Sequence, residues 1–347
     1  MNRMNILVSS TRQWNPGDEF IRKGVERLLR SILGSRHNWL LWNRNPDLFI
    51  DRWTDCRMRT DFLTNSLRDP GLDIVDLVVF AGTPEWLGQP VEQIYRRLLT
   101  APNIPVLILG AGSGSSLPQL APHELEVLNR DNVFITTRSS DLAECLNRQL
   151  ATPKAISLPC PAFYCAPESD SGPEQSRVGV IVQNSSVVNQ SIGEDFVQSL
   201  IMALRDAQGE IDLDIVSLYT DEHNRFSRLG LKHPCVYSYE PDHLLEELAG
   251  YSTIISTRLH GALAGLSAGV PSILLAEENN FRLRSTQKLF GDLLPIVTPR
   301  EAFRVAAGTT LQDARQQSKV IRSFRSSAFG DLKRRVEAFL SEALPAR

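Results

Sequence analysis

Short apolar runs alternate with amphipathic stretches along most of this chain, and that alternation sets the fold class before any motif is considered. Positions 4–9, 74–81, 105–109, 133–136 and 155–158 are apolar almost throughout, as strands buried on both faces of a sheet must be. Between them, 91–99, 122–129 and 141–150 carry apolar residues at helical spacing. An earlier helix places Phe20, Ile21, Val25, Leu28, Leu29, Ile32 and Leu33 on one face. It opens with Asn15 as cap, Pro16 in the first helical position and Asp18 three residues past the cap. A second strand is expected at 38–42, and 43–73, rich in Arg, Asp and Trp, reads as a surface excursion.

Residues 167–176 (PESDSGPEQS) break the pattern with Pro, Gly, Ser and acidic residues. The alternation then restarts: strand 178–182, helix 194–207, strand 211–219, helix 241–250, strand 253–256, helix 261–269 and strand 272–276. From about residue 300 the chain reads as helix, most strongly over 311–344. The expectation is an α/β protein of two doubly wound domains, 1–166 and 177–300, followed by a helical tail, 301–347.

Chemistry concentrates at 251–276, YSTIISTRLHGALAGLSAGVPSILLA. The first strand of this βαβ unit stops at Arg258 and His260, and ligands of such sheets bind beyond the carboxyl ends of strands. Both residues also stand at a helix N-terminus, whose open N–H groups and positive dipole end favour an anion. A fixed cation and a titratable imidazole beside such a site point to chemistry on a phosphorylated or carboxylated substrate. Residues 135–139 (ITTRS) echo 255–259 (ISTRL). If the two sheets face each other by their carboxyl edges, Arg138 and Arg258 reach one dianionic ligand, which the guanidinium fork suits. Loops at 15–19, 82–86, 110–114, 183–186, 221–225 and 277–284 would line the same cleft. Asp18 and Glu19 are either catalytic carboxylates or complements to their helix dipole. The loop 110–114 (GAGSG) is flexible enough to cradle a phosphate through Gly112, but it does not open directly into a helix as the dinucleotide fingerprint does.

Composition narrows the classes further. With 347 residues and a net charge of −3, the chain offers no basic field for nucleic acid. No run approaches a membrane helix, and the first ten residues are too short and polar for a signal peptide. Five cysteines (Cys56, Cys145, Cys160, Cys165 and Cys235) are without zinc-like spacing and read as free thiols, so the cytoplasm is the expected compartment. No metal or cofactor site is expected.

Taken in order, NPGDE (15–19), DLVVFAGTPEW (76–86), PVLILGAGSG (105–114), TTRSS (136–140) and STRLHGALAGLSAGVP (256–271) resemble the motifs of the polysaccharide pyruvyl transferase family. The last is its most diagnostic element: Arg-Leu-His-Gly, a small-residue helix and Gly-x-Pro. A lysine frequent after that strand is replaced here by Arg282 or Arg284. The resemblance implies two Rossmann-like domains laid out like GT-B glycosyltransferases. It implies transfer of the carboxyvinyl unit of phosphoenolpyruvate to two hydroxyls of a sugar, giving a pyruvate ketal and phosphate. By the same resemblance His260 is the proton-transfer group, with Asp18 or Glu19 as acceptor base. Arg258, Arg138 and Arg282 would bind substrate together with Asn15, Gly17, Gly112 and Gly261. The donor would be phosphoenolpyruvate and the acceptor a sugar or lipid-linked oligosaccharide; peripheral membrane contact and oligomeric state stay open. A GT-B glycosyltransferase using a nucleotide sugar, with Glu277 or Glu278 on the ribose, is the alternative enzyme. A non-catalytic sugar- or anion-binding relative is the alternative outside enzymes.

Overall fold

The computed structural model describes residues 3–10, 16–43, 72–84, 97–113, 117–168, 172–183, 192–238, 240–277 and 280–344. The chain forms two compact units, one of 1–14, 21–164 and 327–347, the other of 15–20 and 165–326. Residues 301–347 are therefore shared between them. Most of the 43–73 excursion and most of the 91–99 helix lie outside the described residues.

The first unit is built on six strands: β1 (Asn5–Ser10), β2 (Asn38–Asn43), β3 (Leu77–Ala81), β4 (Val106–Ala111), β5 (Val133–Thr137) and β6 (Ala155–Ser157). They pair in the order β2-β1-β3-β4-β5-β6, all parallel. The central strands are apolar and buried along their whole length, which follows from helices covering both faces. Around them run α1 (Pro16–Leu33), α2 (Pro122–Leu128) and α3 (Ser140–Gln149). Leu7, Val78, Phe80, Ile108 and Ile135 form one core face with Val127, Leu142 and Leu146. Helix α1 lies so close to the turn Pro161–Tyr164 that a Cβ on Gly24 would stand 1.8 Å from the Pro161 carbonyl oxygen.

The second unit repeats the plan with β7 (Val178–Val182), β8 (Leu213–Ser217), β9 (Cys235–Tyr237), β10 (Thr253–Ser256), β11 (Ser272–Leu275) and β12 (Ile296–Val297). Its order is β12-β11-β10-β7-β8-β9, again all parallel. The chain runs outward from β7 to β9, returns beside β7 as β10 and continues to β12. The order therefore reverses between β7 and β10, and a ligand crevice belongs at their carboxyl ends. The helices of this unit are α4 (Glu194–Asp206), α5 (Thr220–Phe226), α6 (Pro241–Ala249), α7 (Leu259–Ser267), α8 (Phe281–Gln287) and α9 (Pro299–Gly308). A long final helix, α10 (Leu311–Ala343), belongs in part to each unit.

Two elements of the second unit differ from the limits the sequence implies. The helix expected at 261–269 begins at Leu259 and ends at Ser267, so His260 lies inside its first turn rather than ahead of it. The Ser256 hydroxyl causes this early start: it accepts from the Arg258 N–H at 3.0 Å and donates to the Arg258 carbonyl at 2.7 Å, turning the chain at once into the helix. Gly269, at φ +81°, then ends the helix in the left-handed conformation. The strand expected at 211–219 is shorter, and Tyr219 instead caps α5. Helices α5 and α8 and strands β9 and β12 were not anticipated; none is longer than seven residues, too short for a period to register.

Candidate functional site

Within the second unit a cavity of about 60 Å³ opens at the β7/β10 reversal, lined by Gly17, Gln183, Leu218, Tyr219, Thr257, Arg258, Leu259, His260, Asn280, Arg282 and Leu283. That space accommodates roughly four to six waters, or one charged end of a small ligand. Its walls come from the ends of β7, β8 and β10 and from the starts of α1, α7 and α8. Every residue of α7 is buried, so the helix drives its N-terminus into the crevice from the interior.

Arg258 is the cap residue of α7. Its Nε donates to Glu222 Oε1 at 2.9 Å and its Nη2 to the same oxygen. The guanidinium carbon lies 4.2 Å from the centroid of the Tyr219 ring, a cation–π geometry. Burial opposes its charge, but Glu222 and Tyr219 more than offset this, and its pKa is raised. Arg258 is thus a permanent cation. Glu222, fully buried, uses its other oxygen to accept the N–H groups of Leu218 and Tyr219 at 3.1 Å each. Burial pushes the Glu222 carboxyl above its ordinary value, against the pull of Arg258 and the Leu218 N–H.

Burial also raises the Tyr219 phenol far above its usual range; the charge of Arg258 opposes this, Glu222 and Asp18 reinforce it, and Arg282 opposes it. Tyr219 is therefore a neutral hydroxyl at any physiological pH. Asp18 and Arg282 both lie close enough for their charges to act on this phenol. His260, only 8% exposed, borders the cavity rather than a sealed core. Asn280 accepts the Leu283 N–H at 3.1 Å, fixing the start of α8 and with it Arg282.

Of the residues singled out from sequence, Gly17, Arg258, His260 and Arg282 line the cavity, and the charge of Asp18 acts on the lining residue Tyr219. Glu19 is buried at 1% exposure in the first turn of α1. Asn15 lies outside the described residues. Gly261 turns to the sheet, where a Cβ would meet Ile181 Cδ1 at 2.7 Å and Ser256 Oγ at 3.1 Å; its smallness serves helix–sheet packing. In the first unit, Arg138 follows β5 as Arg258 follows β10, with its N–H on the Ala111 carbonyl at 2.8 Å. The Gly112 N–H donates to Thr83 Oγ1 at 2.9 Å, and a Cβ there would stand 2.1 Å from Arg138 Nε. Gly112 thus makes room for the Arg138 side chain.

Sequence reasoning missed Tyr219 and Glu222 as individuals, although the loop 221–225 was marked. The signal was the glutamate three residues after a helix start, the reach-back half of a capping box. Among the described residues, no three His, Cys, Asp or Glu side chains group as metal ligands, and no helix is long and apolar enough to cross a membrane. Cys145, Cys160, Cys165 and Cys235 are free thiols.

Comparison with solved structures places the fold. The chain is similar to the glycotransferase of kitacinnamycin (TM-score 0.53, 12% identity, covering 99% of this chain and 100% of that one). It is similar to the glycosyltransferase SnogD from Streptomyces nogalater (TM-score 0.52, 17% identity, 97% and 100% covered). UDP-GlcNAc 2-epimerase from Methanocaldococcus jannaschii gives a TM-score of 0.53 at 12% identity, with 93% and 99% covered. These likenesses show two Rossmann-like domains of the GT-B type. A search of curated proteins finds no match. The family model described as polysaccharide pyruvyl transferase matches residues 15–279.

Proposed function

The chain belongs to the polysaccharide pyruvyl transferase family, and from that premise we propose that it moves the enolpyruvyl unit of phosphoenolpyruvate onto two hydroxyls of a sugar. The observation that carries this reading is Arg258 and His260 side by side on a small polar cavity at the strand-order reversal. Phosphoenolpyruvate carries a carboxylate and a phosphate. Arg258, Arg282 and the first N–H groups of α7 offer complementary charge and donors, and the neutral Tyr219 hydroxyl adds one more.

In this scheme a proton adds to the methylene carbon of the donor, making C2 an oxocarbenium centre. An acceptor hydroxyl attacks C2 and loses its proton. Phosphate then departs, and the second hydroxyl closes the ketal, its proton passing to the released phosphate, leaving a methyl group where the methylene stood. His260 is the candidate to deliver or receive protons, and Asp18 the candidate to accept one from the sugar. No metal or cofactor is assigned a step. The free thiols support assignment to a reducing compartment, the cytoplasm.

The test is phosphate release from phosphoenolpyruvate across a panel of sugars and lipid-linked oligosaccharides, with mass spectrometry for the ketal. Acceptor-dependent phosphate release and a ketal adduct support the reading. Binding of nucleoside diphosphates with no response to phosphoenolpyruvate would overturn it in favour of a glycosyltransferase.

A further inference from the structure

Glu222 has no part in the donor contacts above, yet both of its oxygens are engaged. One carboxylate oxygen accepts the two backbone N–H groups at the start of α5, and the other takes both Nε and Nη2 of Arg258. Glu222 keeps no exposed side-chain surface, whereas Arg258 keeps 17%. With Glu222 on the Nε–Nη2 edge and the Tyr219 ring against its face at 4.2 Å, the described residues leave one edge of the guanidinium, that of Nη1. Capping α5 requires a single acceptor oxygen. The second oxygen, and the cost of burying the charge, are explained only by Arg258.

We propose that Glu222 is a positioning residue: the internal counter-ion that holds the Arg258 guanidinium against Tyr219 with its Nη1 edge toward the cavity, so that the anion site is set before an anion arrives. This rests on reading Arg258 as the contact for the carboxylate or phosphate of the donor.

The experiment uses the full chain as wild type, Glu222→Gln and the double variant Arg258→Met/Glu222→Gln. Thermal unfolding is followed with and without inorganic phosphate, and steady-state kinetics with phosphoenolpyruvate. The glutamine oxygen still accepts the N–H groups of α5, so the cap persists. Its loss of charge leaves Arg258 buried without a counter-ion, a vacancy that added phosphate fills. Glu222→Gln is expected to melt lower than wild type without anion, to bind phosphate about tenfold tighter, and to recover more stability from it than wild type gains. The double variant is expected to show no phosphate response. In turnover, KM for phosphoenolpyruvate stays level or falls while kcat drops about 10- to 100-fold, because the bound donor now rides on a loosened guanidinium.

A phosphate response equal to that of wild type, or kcat and KM both unchanged, would reduce Glu222 to a helix cap and overturn the inference. Absence of any phosphate response in wild type and Glu222→Gln would overturn it as well. If the phosphate pattern holds but wild type never turns over phosphoenolpyruvate, the donor assignment falls and the positioning role stands.

Discussion

Arg258 and His260 stand two residues apart but are built for different work. His260 is the second residue of α7, on the cavity wall at 8% exposure, and in the proposed reaction it transfers protons. His260→Ala is therefore expected to lower kcat by about 10²- to 10⁴-fold, the range of a lost proton-transfer group, with phosphoenolpyruvate affinity within a few-fold of wild type by calorimetry. Arg258 is different, because the buried Glu222 depends on it. Arg258→Ala strands that carboxylate and should cost roughly 3–5 kcal/mol of stability, so its loss of activity would be uninformative. The double variant Arg258→Met/Glu222→Gln removes both charges together and is expected to melt near the wild-type temperature while failing to turn over donor. A double variant as unstable as Arg258→Ala would show that the ion pair itself, not the stranded carboxylate, carries the stability.

The elements divide by how loudly their residues announce them. Strands β7 and β10 fall at the limits the sequence implies, 178–182 and 253–256, because short runs of buried, mostly β-branched residues suit a sheet covered on both faces. Helix α5 was silent: seven residues, mostly polar, capped by an aromatic instead of Ser, Thr, Asp or Asn. Its start was absorbed into the strand before it, and Tyr219 and Glu222 were lost with it. The glycines were legible as small but not in their purpose. Gly112 and Gly261 each leave room for a neighbour, a guanidinium in one case and Ile181 in the other. Close approach to a ligand and close approach to a side chain leave the same mark on a sequence.

The same logic makes a prediction at α1. A Cβ at Gly24 would meet backbone, the Pro161 carbonyl oxygen at 1.8 Å, which no rotamer change relieves. Gly24→Ala should destabilise by about 1–3 kcal/mol or more, whereas Gly308→Ala, with nothing within 4 Å, should not destabilise; chemical denaturation of the two would separate them. At the other end of the chain, Thr310 and Asp313 cap the 33-residue helix α10: the Thr310 hydroxyl donates to Asp313 at 2.6 Å and the Thr310 N–H at 3.1 Å. These bonds hold the Asp313 carboxyl below its ordinary value. A carboxyl whose pKa is lower folded than unfolded contributes stability that is present at neutral pH and lost as pH falls through the folded value. Asp313→Asn should show a weaker helical signal at neutral pH, and the difference from wild type should close under acid. A constant difference from pH 7 to pH 2 would contradict the capping role.

At the scale of the whole molecule, kinship and architecture speak to different questions. The family match over 15–279 concerns chemistry, while likenesses at 12–17% identity concern only the course of the chain. Nucleotide-sugar enzymes share that course, so the fold cannot choose the donor; the cavity bears on the choice. It is lined by Arg258, His260 and Arg282, a charge that suits a compact anion. Phosphoenolpyruvate at about 100 times its Kd should then add about 2.7 kcal/mol of stability, and UDP or a UDP-sugar at the same concentration should add none. Because a chain of two units need not unfold in a single step, the measurement belongs to hydrogen exchange rather than a melting curve alone. Phosphoenolpyruvate should slow exchange at 218–222, 257–262 and 280–284, the segments that carry the Tyr219–Glu222 cap, the start of α7 and the start of α8. Protection of those segments by UDP in place of phosphoenolpyruvate would make the site a nucleotide site, whatever the family resemblance implies about its chemistry.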